Sequence, residues 1–173
     1  MTRYAAFLRG VNVGGVNLKM AEVAEAFEAA GFTNVRTILA SGNVLFDSRA
    51  KVDAVRAKAE QALRDRFGYD AWVLAYDLET VRAISAAYPF EREVDGHHSY
   101  VTFVTDPEVL DELAALAAEA GPEEKIARGD GVVYWQVPRQ STLESTMGKT
   151  MGKKRYKAST TTRNLRTVEK TLR

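Results

Sequence analysis

Apolar residues recur along the chain at two spacings, and the switches between them divide it into elements. A short run of apolar residues closed by Arg9 predicts a strand over residues 4–9. A glycine- and asparagine-rich loop leads from it to a helix near residues 19–30, where Met20, Val23 and Phe27 share a face and Gly31 is a natural stop. Residues 35–40 and 43–47 read as two strands joined in a tight hairpin across Ser41-Gly42. A second helix is predicted over residues 52–67, with Val52, Val55, Ala59, Leu63 and Phe67 along one side, and a fourth strand over 71–76. A connecting helix follows, carrying Val81, Ile84 and Tyr88, and Pro89 ends it.

The order then repeats. Residues 96–98 read as a surface loop and 99–104 as a strand. Asp106-Pro107 caps a helix with Leu110, Leu113 and Leu116 inward. Residues 125–128 and 132–137 form a hairpin around Gly129-Asp130-Gly131, and Ser141-Thr142-Leu143-Glu144 matches a capping box for the next helix. Residues 156–160 suit a last strand and 162–172 a terminal helix with Leu165, Val168 and Leu172 buried. Strand–helix–strand–strand–helix–strand, twice, is the α+β ferredoxin-like pattern in tandem. The expected subdomains are residues 1–77 and 78–173, the second including the connecting and terminal helices.

At 173 residues with 46% apolar and 27% charged side chains, the chain can bury a core, and wholesale disorder is not expected. Its longest apolar runs, 71–76 and 113–118, are six residues each, against about 20 needed to span a bilayer. Arg9 stands where an export signal would be apolar, so a cytoplasmic protein is expected. With no cysteine, disulfides, thiolate metal sites and a cysteine nucleophile are excluded. No motif calls for a cofactor. The net charge of +1 hides an asymmetry: ten basic and two acidic residues from Arg139 onward give the last 35 residues +8, and the remainder carries −7. That tail is either a surface for a polyanion or a basic segment folded onto an acidic body.

The first loop reads Arg9-Gly10-Val11-Asn12-Val13-Gly14-Gly15-Val16-Asn17. Gly10 and Gly15 have the spacing of a phosphate-binding Walker loop, but Val16-Asn17 replaces its Lys-Ser/Thr, and the dinucleotide fingerprint fails at Asn12. What remains is a run of glycines whose N–H groups can approach an anion, with Arg9 at the strand's end. In a ferredoxin-like unit the end of strand one and the tip of the second-to-third-strand hairpin share an edge of the sheet. Arg9, Gly10, Asn12, Gly14, Gly15 and Asn17 are therefore expected beside Ser41, Gly42 and Asn43, as one site for a small phosphate-bearing anion.

The stretches Phe7-Leu8-Arg9-Gly10-Val11-Asn12-Val13-Gly14-Gly15, Gly31-Phe32-Thr33-Asn34-Val35-Arg36-Thr37, Ser41-Gly42-Asn43-Val44 and Thr162-Arg163-Asn164 resemble the domain of unknown function (DUF) 1697 family, and the resemblance runs from end to end. Ala40 and Leu165 stand where that family commonly has glutamine and tryptophan. The resemblance implies tandem ferredoxin-like subdomains and brings no established activity.

A secondary anion site is expected at Thr161, Thr162, Arg163 and Asn164, read as the first turn of the terminal helix. Gly148-Lys149-Thr150 only superficially ends a Walker motif, because the position of its first glycine is Leu143. The two histidines, His97 and His98, are adjacent and cannot both hold one metal if they lie on a strand, so no metal site is expected. Two other functions compete with anion binding. One is acylphosphatase-like hydrolysis, by analogy of fold; the other is weak nucleic-acid binding through the basic tail.

Overall fold

The computed structural model describes residues 1–11 and 16–173. The chain divides into two units, residues 1–82 with 170–173 and residues 83–169. The first unit runs β1 (Thr2–Leu8), α1 (Met20–Ala29), β2 (Thr33–Ile38), β3 (Asn43–Ser48), α2 (Val52–Phe67) and β4 (Val73–Asp77), and α3 (Leu78–Ala86) carries the chain onward. Its sheet has the order β2-β3-β1-β4, antiparallel throughout. β1 is central and buries Tyr4 through Leu8 without a break, so side chains on both of its faces are out of water. Tyr4, Ala6 and Leu8 join Val23, Phe27, Val55, Ala59 and Leu63 of the two helices in one core. The rings of Phe27, Phe32 and Phe46 meet there at 4.4–5.6 Å between centroids. Removing one such ring typically costs about 3–5 kcal/mol. Val52, expected on the inner side, is exposed at the first position of α2.

The hairpin between β2 and β3 is wider than a two-residue turn. Pairing ends at Ile38↔Asn43, which leaves residues 39–42 as the loop. Leu39 has φ 58, a left-handed conformation that takes the chain out of the extended region, and β2 ends at Ile38 before it.

The second unit runs β5 (His97–Val104), α4 (Pro107–Ala114), β6 (Lys125–Arg128), β7 (Val132–Pro138), α5 (Thr146–Met151), β8 (Thr160–Asn164) and α6 (Leu165–Thr171), whose last residues belong to the first unit. Its sheet order, β6-β7-β5-β8, repeats that of the first. Both units thus have the ferredoxin-like arrangement. Asp106 caps α4 as expected, accepting the Glu108 N–H at 2.9 Å. Tyr100, Trp135, Val104, Leu113 and Met147 build the core, and the Trp135 indole donates to Thr102 Oγ1 at 2.9 Å.

Three expectations fail in this half. His97 and His98 are not loop residues: they open β5, paired with Pro138 and Val137. The cap of α5 is Ser145 rather than Ser141, because its hydroxyl accepts the Gly148 N–H at 3.0 Å and donates to the Thr142 carbonyl at 2.7 Å. That fold-back brings the Thr142 oxygen to 1.9 Å from where a Gly148 Cβ would stand, so only glycine fits and its resemblance to a phosphate loop is incidental. The last strand lies four residues later than predicted, over Thr160–Asn164. Three β-branched threonines pair there with β5, while Tyr156 sits in a short 3-10 turn.

Candidate functional site

The edge at which β1 ends is closed by two backbone hydrogen bonds. Leu8 N–H donates to the Gly42 carbonyl at 2.8 Å, tying the hairpin tip to β1, and Arg9 N–H donates to the Trp72 carbonyl at 3.1 Å, tying in the approach to β4. The predicted convergence of strand end and hairpin tip is therefore present. A Cβ on Gly42 would lie 2.7 Å from Val11 Cγ2 and 2.8 Å from Leu8 Cβ, so the tip rests directly on the segment leaving β1. Val11 is buried and pairs with Val16 in an isolated parallel bridge. Asn12, Gly14 and Gly15 lie outside the described residues.

Around this junction the side chains differ in what they are doing. The Arg9 guanidinium is half-buried, and its desolvation lowers its pKa from the ordinary arginine value. Asn43 is completely buried; its side-chain amide donates to the Ile38 carbonyl at 2.7 Å and to Ser41 Oγ at 2.9 Å, which locks the shape of the tip. Gly10 and Asn17 are exposed, Ser41 is half-buried and Gly42 buried.

The second unit repeats the closure residue for residue. Val104 N–H donates to the Gly131 carbonyl at 2.9 Å, and Thr105 N–H to the Ser159 carbonyl at 2.9 Å. The equivalent of Arg9 is thus Thr105, and helix α4 starts at Pro107, directly behind its cap Asp106. From β1 to α1 the chain instead passes through residues 9–19. The frame is common to both units; the arginine and the long glycine-rich loop belong to the first.

The secondary site does not take the form expected: Thr161, Thr162, Arg163 and Asn164 lie on β8, and the terminal helix begins after them at Leu165. Arg163 is a strand residue of β8 facing inward beside Val101, 6% exposed, not a cation in the first turn of a helix. Its guanidinium donates to Thr161 Oγ1 at 2.7 Å and to the Thr162 carbonyl at 3.0 Å. Burial lowers its pKa to about 10. The Thr162 hydroxyl is shared with Thr102 at 2.8 Å. Asn164, by contrast, borders a cleft together with His98, Arg139 and Arg166, a grouping that periodicity did not reveal. Only the β5–β7 register, His97 opposite Pro138, places Arg139 beside the histidines.

Among the described residues no three His, Asp or Glu side chains group to hold a metal ion, and no helix is long and apolar enough to cross a membrane.

Two antiparallel sheets of order 2-3-1-4, each with its own helices, define a tandem ferredoxin-like α+β protein. The chain belongs to the family described as protein of unknown function (DUF1697), whose model matches residues 1–134. It is similar in structure to the conserved bacterial protein SP0830 from Streptococcus pneumoniae, with a TM-score of 0.79 and 24% identity, over 98% of this chain and 96% of that one. At that identity the likeness shows the fold alone. No curated protein is significantly similar to the sequence.

Proposed function

We propose that the protein binds a small phosphate-bearing anion at the end of β1. Arg9 pairs with the anion, the N–H groups of Gly10, Gly14 and Gly15 approach it, and Asn12, Asn17 and Ser41 add hydrogen bonds. Gly42 and Asn43 hold the hairpin tip against the strand. The observation that carries this reading is the contrast between two equal frames. Connections in compact domains usually run 2–6 residues, and longer ones tend to serve function. The second unit turns from strand to helix through residues 105 and 106, so residues 9–19 exceed what the frame requires. That excess is glycine-rich and begins with a partly desolvated guanidinium, a setting in which an anion pairs more strongly than in water.

Thermal melts with and without phosphate and pyrophosphate test it. A ligand at 100 times its Kd adds about 2.7 kcal/mol to the stability of the native protein. Arg9→Ala is expected to abolish that gain, with the ligand-free stability within about 0.5 kcal/mol of wild type. An undiminished gain in the variant, or a lower melt with no ligand effect in either protein, would assign Arg9 to structure instead.

A further inference from the structure

We propose that the second unit carries an oxyanion site of its own, a cleft at the sheet edge where β5 begins, in which Arg139, Arg166 and His98 surround one small dianion of the sulfate or phosphate type. The topology assembles it. β5 starts, and β7 and β8 end, at the same edge, which is the one opposite the Val104–Gly131 closure. Arg139 follows β7 and is held there by its N–H bond to the Gly96 carbonyl at 2.8 Å. Asn164 ends β8, and its side-chain oxygen accepts the Arg166 N–H at 3.0 Å, turning the chain so that Arg166 stands over the cleft. Arg92 lines the same space, its guanidinium anchored on the Ser85 carbonyl at 2.6 and 3.0 Å and lying 5.9 Å from the Tyr88 ring.

Arg3, Arg66, Arg128 and Arg155 each meet a carboxylate. Among the described residues, the side chains of Arg139 and Arg166 have no ion pair and no hydrogen bond. Among the described residues Glu93 is the one carboxylate bordering the cleft, against three guanidiniums, so the local balance is +2. His98 has its pKa lowered by desolvation first and then by Arg139 and Arg166. The same two cations therefore press on one imidazole. His97, next to it, turns its Nδ1 to the Asp95 carbonyl at 3.0 Å. Size sets the ligand class. The cleft holds about 100 Å³, well short of the ~300 Å³ at which organic-ligand pockets begin. That size suits a tetrahedral oxyanion better than a drug-sized organic ligand.

Histidine NMR titrations in sodium sulfate and in sodium chloride at equal ionic strength test this, with His97→Gln to assign the two imidazoles. Sulfate keeps its double charge across the range, and screening acts equally in both salts. A seated dianion should raise the His98 pKa by about one unit in sulfate over chloride while His97 barely moves. By reciprocity sulfate then binds about tenfold tighter when His98 is protonated. The double variant Arg139→Gln, Arg166→Gln should raise the His98 pKa without any ligand and erase the difference between the salts. Arg9→Ala should leave both effects intact. Equal shifts of His98 in the two salts, or a sulfate response that survives loss of both arginines, would overturn the proposal.

Discussion

Alanine in place of Gly42 offers a measurement of the hairpin junction with its own internal control. Gly42 and Gly131 occupy the same place in the two units: each carbonyl accepts from the last residue of the first strand, at 2.8 and 2.9 Å, and their φ values are 88 and 73. A Cβ at positive φ costs about 1–2 kcal/mol in either place. At Gly131 nothing more is added, since the nearest atom to that Cβ is the Val104 carbonyl oxygen at 4.0 Å. At Gly42 the new methyl meets Val11 at 2.7 Å and Leu8 at 2.8 Å, both at 1% exposure and unable to move aside. Overpacking of that kind adds about 1–3 kcal/mol. Hydrogen exchange of the two donor amides, Leu8 and Val104, reads each junction locally, and urea unfolding reads the total. Gly42→Ala should lower Leu8 protection about 5–150-fold more than Gly131→Ala lowers that of Val104. Equal losses would mean that the tip does not rest on the strand exit, and the convergence on which the anion site depends would fail with it.

Three further outcomes follow from the charges. The Asp47 carboxyl lies below the usual carboxylate range because of its hydrogen bond from Asn34 and the nearby Arg3; its stabilising effect is complete above pH ~4, is lost as the pH falls through its folded value, and should vanish from urea titrations of Asp47→Asn. Burial raises the Tyr69 pKa to about 12 and raises that of Tyr76 as well, so both should stay protonated at pH 11 in a tyrosinate absorbance titration. Stability from these two is full below pH ~10, where the unfolded phenols begin to ionise, and falls as the pH rises through the folded values. The basic tail should bind RNA or DNA no tighter than about 10⁻⁶ M at physiological salt. Arg155 is already paired with Glu112 at 2.9 Å and Arg163 is buried; sub-micromolar anisotropy, lost with Lys153, Lys154 and Arg155 changed to alanine, would contradict that.

Where one period ran uninterrupted, the chain could be read directly. Val55, Ala59 and Leu63 all reach zero exposure as their spacing predicts, and the helix carrying them spans Val52–Phe67 as read. The failures cluster where two periods meet. Leu165 and Val168 are buried on α6 as expected, yet their spacing says nothing about where the helix starts, and the threonines before it suit a cap as well as a strand. Pairing with β5 decides the matter, and pairing is not a local property. Ser141 lost the cap to Ser145 for a similar reason, since the latter closes a contact with Thr142 that a motif cannot display. The convergence of the β1 end with the hairpin tip was legible because topology alone brings the two together. The basic cleft was not, because it depends on the β5–β7 register and on an asparagine turning the chain at Asn164.

The two units place their arginines at opposite ends of equivalent sheets. In the first unit the end where β1 begins is balanced: Arg3 is paired with Asp47 at 3.1 Å, Asp77 accepts the Thr80 N–H at 2.8 Å, and Glu79 stands near Lys51 around the same opening. Its other end carries Arg9 and the long loop. In the second unit the pattern reverses. The strand exit is followed at once by Asp106, whose carboxylate is occupied as a helix cap, and the end where β5 begins collects unpaired arginines. If the fold itself demanded cations at a sheet edge, the same edge would hold them in both halves. The alternation indicates that the frame common to both units does not itself call for an arginine at the strand exit, where Arg9 stands in one and Thr105 in the other, nor for Arg139 and Arg166 where β5 begins.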